Sequence, residues 1–235
     1  MSHVPFDTLN LAAHVGDDPN AVEANRALLL DAAGIPDLLG EMVTAEQVHG
    51  DRITVVTRDH AGAGAFTRGA MSIPATDALV TDAVELPLLM LYADCVPVVL
   101  VATQPRRAIC VVHAGWRGAL RKLPGTAARE LASHAACDTS DLRVYIGPHI
   151  GACCYEVGEE MLSHFRDSFD TIGVVDGRLD LAAAVRESLA ESGVGDKRIA
   201  EVGVCTRDHT DRFFSYRADL VTGRHGALAV IAEGE

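Results

Sequence analysis

Residues 92–118 read YADCVPVVLVATQPRRAICVVHAGWRG. Two short apolar runs, VPVVLVAT (96–103) and AICVVHA (108–114), flank the polar turn QPRR. Their Val and Ile content and their length are those of buried strands. DALVTD (77–82) and LPLLMLYAD (86–94) come just before and read the same way. Strands that follow one another directly leave no room for crossover helices. The fold class is therefore α+β, a single-domain αβ sandwich over residues 1–235 with a mixed or antiparallel sheet, not a doubly wound parallel sheet.

Outward from this block the elements alternate in type. Asp18-Pro19 opens a helix with a carboxylate cap and a proline in the first turn, and AVEANRALLLDAAG continues it to Gly34. Glu41 to Gln47 and Arg52 to Arg58 read as strands around His49-Gly50. DHAGAGAFTRGAMSIPAT is a Gly/Ala-rich loop whose glycines do not complete a dinucleotide fingerprint. Gly125 to Ala136, Val157 to Phe169 and Asp180 to Ser192 read as helices; LRVYIG, IAEVGVCT and ALAVIAE read as strands.

The 235 residues carry a formal net charge of −13, which repels phosphate backbones and excludes nucleic acid as a partner. A small anion held by local arginines stays compatible with that charge. The apolar stretch Leu86 to Ala102 contains Asp94 and two prolines, so it is two strands and not a membrane span. The N-terminus has neither a basic nor an apolar signal region, which points to a cytoplasmic location and reduced thiols. No CxxC occurs among the six cysteines, so a zinc ribbon or thioredoxin motif is not supported, and Cys153-Cys154 read as ordinary thiols. No heptad or interface stripe sets an oligomeric state.

Chemistry concentrates where apolar runs end. His49, Cys95 and His113 each stand at a strand-to-turn boundary, 46 and 18 residues apart. Two imidazoles and one thiolate make an open zinc site with a fourth position for water or substrate. The alternatives are satisfied histidines and a cysteine packed as a small hydrophobe. Asp94 is a carboxylate inside an apolar run, so it is paired or functional. Arg117, in the turn HAGWRG, offers a planar fork for phosphate or carboxylate, or else an ion pair with Asp94. His149, in GPHIGACCYEVG, is a candidate contact or a loop histidine, and DRFFSYRADLVTGR suits a heterocycle bearing phosphate or sugar, or packs on the core.

QVHG, YADCVPV, VVHAGWRG, IGPHIGACCYEVG and FFSYRADLVTGR together resemble the YfiH/laccase-domain family, also called the multicopper polyphenol oxidase family. The motifs occur in the family's order, and the likeness runs from about residue 10 to residue 231. It implies a fold related to a bacterial toxin cysteine deamidase and a Zn2+ site on His49, Cys95 and His113, with Cu2+ as the other candidate ion. It implies phosphorolysis of adenosine, inosine and methylthioadenosine, with purine nucleoside and phosphate as partners, and deamination of adenosine. In that scheme Cys95, Asp94 and Arg117 are the catalytic candidates, and Arg26, Gln47 and His149 the substrate contacts. His149 and Ala152 depart from the Cys and Pro expected in the family's turn, which weakens a copper or thiol role there. A laccase copper cluster needs paired His-x-His segments, and no two histidines here are separated by one residue. The zinc cytidine deaminase signature is absent too. The alternatives are a cysteine or metal amide hydrolase editing UDP-muramyl cell-wall precursors, a copper polyphenol oxidase, and a non-enzymatic metal-binding module.

Overall fold

The computed structural model describes residues 1–170, 174–175 and 177–233. In chain order the elements are α1 (Pro19–Ala32), β1 (Val43–Thr44), β2 (Ile53–Val55), β3 (Ala78–Thr81), β4 (Leu88–Tyr92), β5 (Val96–Ala102), β6 (Ala108–Ala114), α2 (Trp116–Leu120), α3 (Leu123–Ala135), β7 (Arg143–Ile146), α4 (Glu159–Ser168), β8 (Val174–Val175), β9 (Arg178–Leu179), α5 (Leu181–Glu191), β10 (Ile199–Glu201) and β11 (His225–Ala229).

Two mixed sheets, the small antiparallel pair β8-β9 and the helices make up the architecture of the described residues. The larger runs β10-β7-β5-β6-β3-β2 and the smaller β1-β4-β11. The hairpin β5–β6 and its neighbours β3 and β7 are antiparallel, while β2–β3, β7–β10 and β1–β4 are parallel. β6 is buried along its whole length because both of its faces are covered. Ala108, Cys110, Val112 and Ala114 point to a core shared with α3 and α5. Ile109 and Val111 point the other way, onto Leu88, Met90 and Tyr92 of β4. The far side of β4, Leu89 and Leu91, packs with Leu11, Leu30 and Met42 beside α1. The order is thus helices, large sheet, small sheet, helix. Each fully buried Val or Leu in these cores contributes about 1.5–3 kcal/mol.

The four central runs form strands as the sequence leads one to expect, and the mixed pairing agrees. Several ends differ. Glu41 to Gln47 shrinks to Val43–Thr44 because Pro36–Glu41 winds into a 3-10 helix. Arg52 to Arg58 shrinks to Ile53–Val55, since Thr57 caps a 3-10 turn at Arg58–His60. IAEVGVCT forms a regular strand only over Ile199–Glu201; Gly203, with φ 66°, interrupts it, and pairing resumes as a single bridge between Cys205 and His149. The last strand starts earlier than ALAVIAE, at His225. The turn HAGWRG continues into a short helix, α2. None of the described helices is long and apolar enough to cross a membrane.

Candidate metal centre and ligand cleft

Period-two alternation along β6 sends His113 to the same face as Ile109 and Val111, toward the small sheet. It lies there 5.6 Å from the Tyr92 ring, centroid to centroid. Cys95 directly precedes β5, whose register pairs Val96 with Ala114 and Pro97 with His113. His49 sits in the turn between β1 and β2 at φ 57°. The His49 and His113 rings meet edge to face at 4.8 Å, and Cys95 Sγ lies 3.7 Å from His49 Nε2. The three donor atoms lie within 4.8 Å of one another. A Cβ on Gly115 would come within 2.7 Å of the His49 ring and 3.3 Å of Cys95 Sγ, so glycine there leaves the donors their space.

Asp77 organises this group, and sequence reasoning missed it. Its Oδ1 is 2.8 Å from His113 Nδ1, and its side chain is fully buried. The same carboxylate accepts the backbone N–H groups of Val48 (3.2 Å), His49 (3.0 Å) and Gly50 (2.7 Å). One anion thereby sets the His113 ring and folds the turn that presents His49. Burial pushes Asp77 up, but the hydrogen bonds from His113 and Gly50 outweigh it and hold the carboxyl below its ordinary range. Burial also pushes the Cys95 thiol up, yet the charge and hydrogen bond of His113, helped by His49, bring it down to about 6. His113 is lowered by burial and raised more by Cys95 and Asp77, to about 9. The two shifts share a cause, since each group stabilises the charged form of the other. An N2S donor set with a carboxylate behind one imidazole suits a metal ion of zinc or copper type.

The group opens on a cavity of about 890 Å³. Asp94, Gln47 and Arg117 line it too. Asp94 has φ 90°, a strained conformation for a side-chain-bearing residue. Its carboxylate accepts Thr206 Oγ1 and the Arg217 N–H, each at 2.7 Å, so the alternative pairing with Arg117 does not occur. Arg117 instead lies over the Trp116 ring at 4.4 Å. Gln47 donates to Leu91 O (2.7 Å) and accepts Leu91 N–H (2.8 Å), docking onto β4 as a strand residue would. Two other arginines of the cavity also lie on its aromatic rings: Arg217 over Tyr155 at 4.8 Å and Arg224 over Tyr216 at 5.9 Å. His14, unremarked in the sequence, lines it as well, its pKa lowered first by burial and then by Arg224.

Two sequence candidates are not brought to this cavity. Arg26, a substrate contact in the scheme the resemblance implies, is instead buried and donates to the carbonyls of Leu11, Gly64 and Ala65. His149 is buried beside a separate cavity of about 300 Å³, its Nδ1 2.9 Å from Gly147 O.

Residues 1–232 match the family described as multi-copper polyphenol oxidoreductase laccase. The chain belongs to this laccase-like YfiH family. Among curated members, the purine nucleoside phosphorylase YlmD of Geobacillus stearothermophilus is 35% identical over 98% of this chain and 85% of that protein. A purine nucleoside phosphorylase of Xylella fastidiosa is 37% identical over 98% of this chain and 88% of its own length. The crystal structure of YlmD from G. stearothermophilus superposes with a TM-score of 0.91 at 34% identity, covering 99% of this chain and 88% of that one. The Bacillus licheniformis hypothetical protein YfiH also gives 0.91, at 32% identity, covering 99% and 88%.

Proposed function

We propose that this chain is a cytoplasmic, zinc-dependent purine nucleoside enzyme. It cleaves adenosine, inosine or methylthioadenosine with phosphate, giving base and sugar-1-phosphate, and deaminates adenosine to inosine. His49, Cys95 and His113 are the ligands. One observation carries the reading: their donors converge on the wall of a cavity in which arginines lie on aromatic rings, a setting for a flat base and an anion together. The family's curated purine nucleoside phosphorylases support it.

Trp116, Tyr155 and Tyr216 supply faces for the purine, and Arg117 and Arg217 hold phosphate. In phosphorolysis a phosphate oxygen bonds to the anomeric carbon as the N-glycosidic bond breaks; the bond pair leaves with the purine, which takes a proton. In deamination a water oxygen bonds to C6 and ammonia leaves. Zinc, when bound, supplies Lewis acidity toward base or water. Asp94 moves the proton, aimed by Thr206 and the Arg217 N–H. Arg26 acts from outside the cavity by tying residues 11, 64 and 65 together.

A second reading has its own observation. Cys95, His113 and Asp77 stand in the order nucleophile, base and orienting acid, with the thiol lowered to about 6. That arrangement favours an amide hydrolase.

The test is metal analysis with a product assay. Protein purified without added metal is expected to carry zinc and to turn adenosine into adenine and ribose-1-phosphate with phosphate present, and into inosine without it. Cys95→Ala should abolish both activities. Full turnover by that variant would overturn the scheme. A metal-free active protein silenced by alkylation would move the assignment to the amide hydrolase.

A further inference from the structure

Donor atoms converge at a second place, away from the nucleoside cavity. Cys153 and Cys154 lie in the turn after β7; Cys205 and Asp208 lie in the segment after β10. Their three sulfurs and a carboxylate oxygen lie within 4.8 Å of one another. The two segments are joined by a β-bridge between His149 and Cys205, with Thr206 N–H donating to His149 O at 2.9 Å. Asp208 accepts from both vicinal thiols, one oxygen each: Cys153 Sγ at 3.1 Å and Cys154 Sγ at 3.0 Å. Gly151 N–H donates to Cys205 Sγ at 3.3 Å. A Cβ on Gly151 would sit 3.1 Å from Cys153 Sγ and 3.4 Å from the Cys205 Cβ, so glycine keeps the cluster open.

We propose that Cys153, Cys154, Cys205 and Asp208 form a second metal site, a closed, structural one for zinc. Four protein donors complete a tetrahedral shell and leave no open position, unlike the His49–Cys95–His113 group. Thiolates select a zinc-type ion over magnesium or calcium. The amide donated to Cys205 is the outer partner such a thiolate ligand takes. A disulfide between any two of the sulfurs would use neither the third nor Asp208. Uptake exchanges the three thiol protons for one Zn2+, leaving the shell at formal charge −2 beside Arg207. The ion clamps residues 153–154 to 205–208. Neighbours on both segments serve the nucleoside cavity: Tyr155 lines it, and Thr206 holds Asp94. The second ion therefore braces one wall of the first site.

The whole chain, purified under reducing conditions, is analysed for zinc and then exchanged into cobalt. The expected content is about two zinc per chain in the wild type, and about one in either the Cys153→Ser/Cys154→Ser double variant or Cys95→Ala. Cobalt-loaded Cys95→Ala should keep an intense thiolate-to-cobalt charge-transfer band, which the double variant largely loses. Equal zinc in the wild type and the double variant would overturn the second site. So would thiol mapping that finds two of the three cysteines joined in zinc-free protein kept reduced. Should the double variant fail to fold, Asp208→Asn, exposed, is expected to give up one zinc to a chelator at least about tenfold more readily; unchanged retention there would count against the site. Failure of the cavity reading shows separately, as no zinc lost in Cys95→Ala.

Discussion

At the scale of single residues, Asp77 has the widest consequences. His113 and the turn bearing His49 both depend on its carboxylate, through the ring contact at 2.8 Å and three backbone N–H groups. An amide in its place keeps the size, loses the charge that favours His113 as a ligand, and turns one acceptor into a donor facing those N–H groups. Asp77→Asn is expected to weaken zinc at His49, Cys95 and His113 by roughly 10–100-fold, the usual cost of losing an outer-shell carboxylate. A competition titration against a chelator of known affinity measures it. Affinity equal to wild type would mean that Asp77 only folds the turn.

At the scale of elements, α3 and α5 cross at Gly125. A Cβ there would meet Ser188 O at 2.2 Å, and the Gly125 N–H donates to Ser188 Oγ at 2.9 Å. The contact is with helix backbone, so a methyl cannot be absorbed by a rotamer change. Gly125→Ala is expected to destabilise by about 1–3 kcal/mol despite alanine's better helix propensity; urea unfolding checks it, and a gain in stability would refute the close approach. The same crossing shows how far the sequence can be read. Apolar composition places α3, yet its start falls at Leu123, because Pro124 belongs in the first turn. The strands β3 to β6 are legible because buried runs of Val, Ile and Leu have few other uses. Cys95 and His113 are legible because each interrupts or ends such a run, whereas His49 stands in a polar turn and is legible through the family motif QVHG. Asp77 likewise bounds such a run, at the head of β3, and that carboxylate in DALVTD was the available signal. The hydrogen bonds of Arg26 were not legible, because nothing local in the sequence says which carbonyls approach it from residues 38 and 39 positions away. The Cys153–Cys205 cluster is invisible in spacing, since only the pairing of chain segments far apart in sequence assembles it.

At the scale of the whole molecule, stability is tied to pH through the small sheet. His225 begins β11, pairs with Tyr92 across the sheet, and packs between the rings of Tyr92 at 6.3 Å and Phe213 at 5.6 Å. Burial lowers it from 6.5 to about 4, outweighing the opposing charge of Asp94. As pH falls below about 6.5 the unfolded chain takes up this proton first, while the fold resists it until about 4. Its contribution is therefore complete above that upper value and lost progressively through the window below it. The shift corresponds to on the order of 3 kcal/mol. His14, also lowered by burial, adds to the loss with the same sign. Asp77, held below its ordinary range, stays ionised through most of this window and loses its contribution only at lower pH. Urea unfolding at about pH 7 and pH 5 is expected to show the wild type losing stability toward acid, and His225→Gln losing distinctly less. Parallel pH profiles for the two proteins would show that β11 carries no buried neutral imidazole. The acid sensitivity would then have to come from His14, the cavity-lining histidine that burial also lowers.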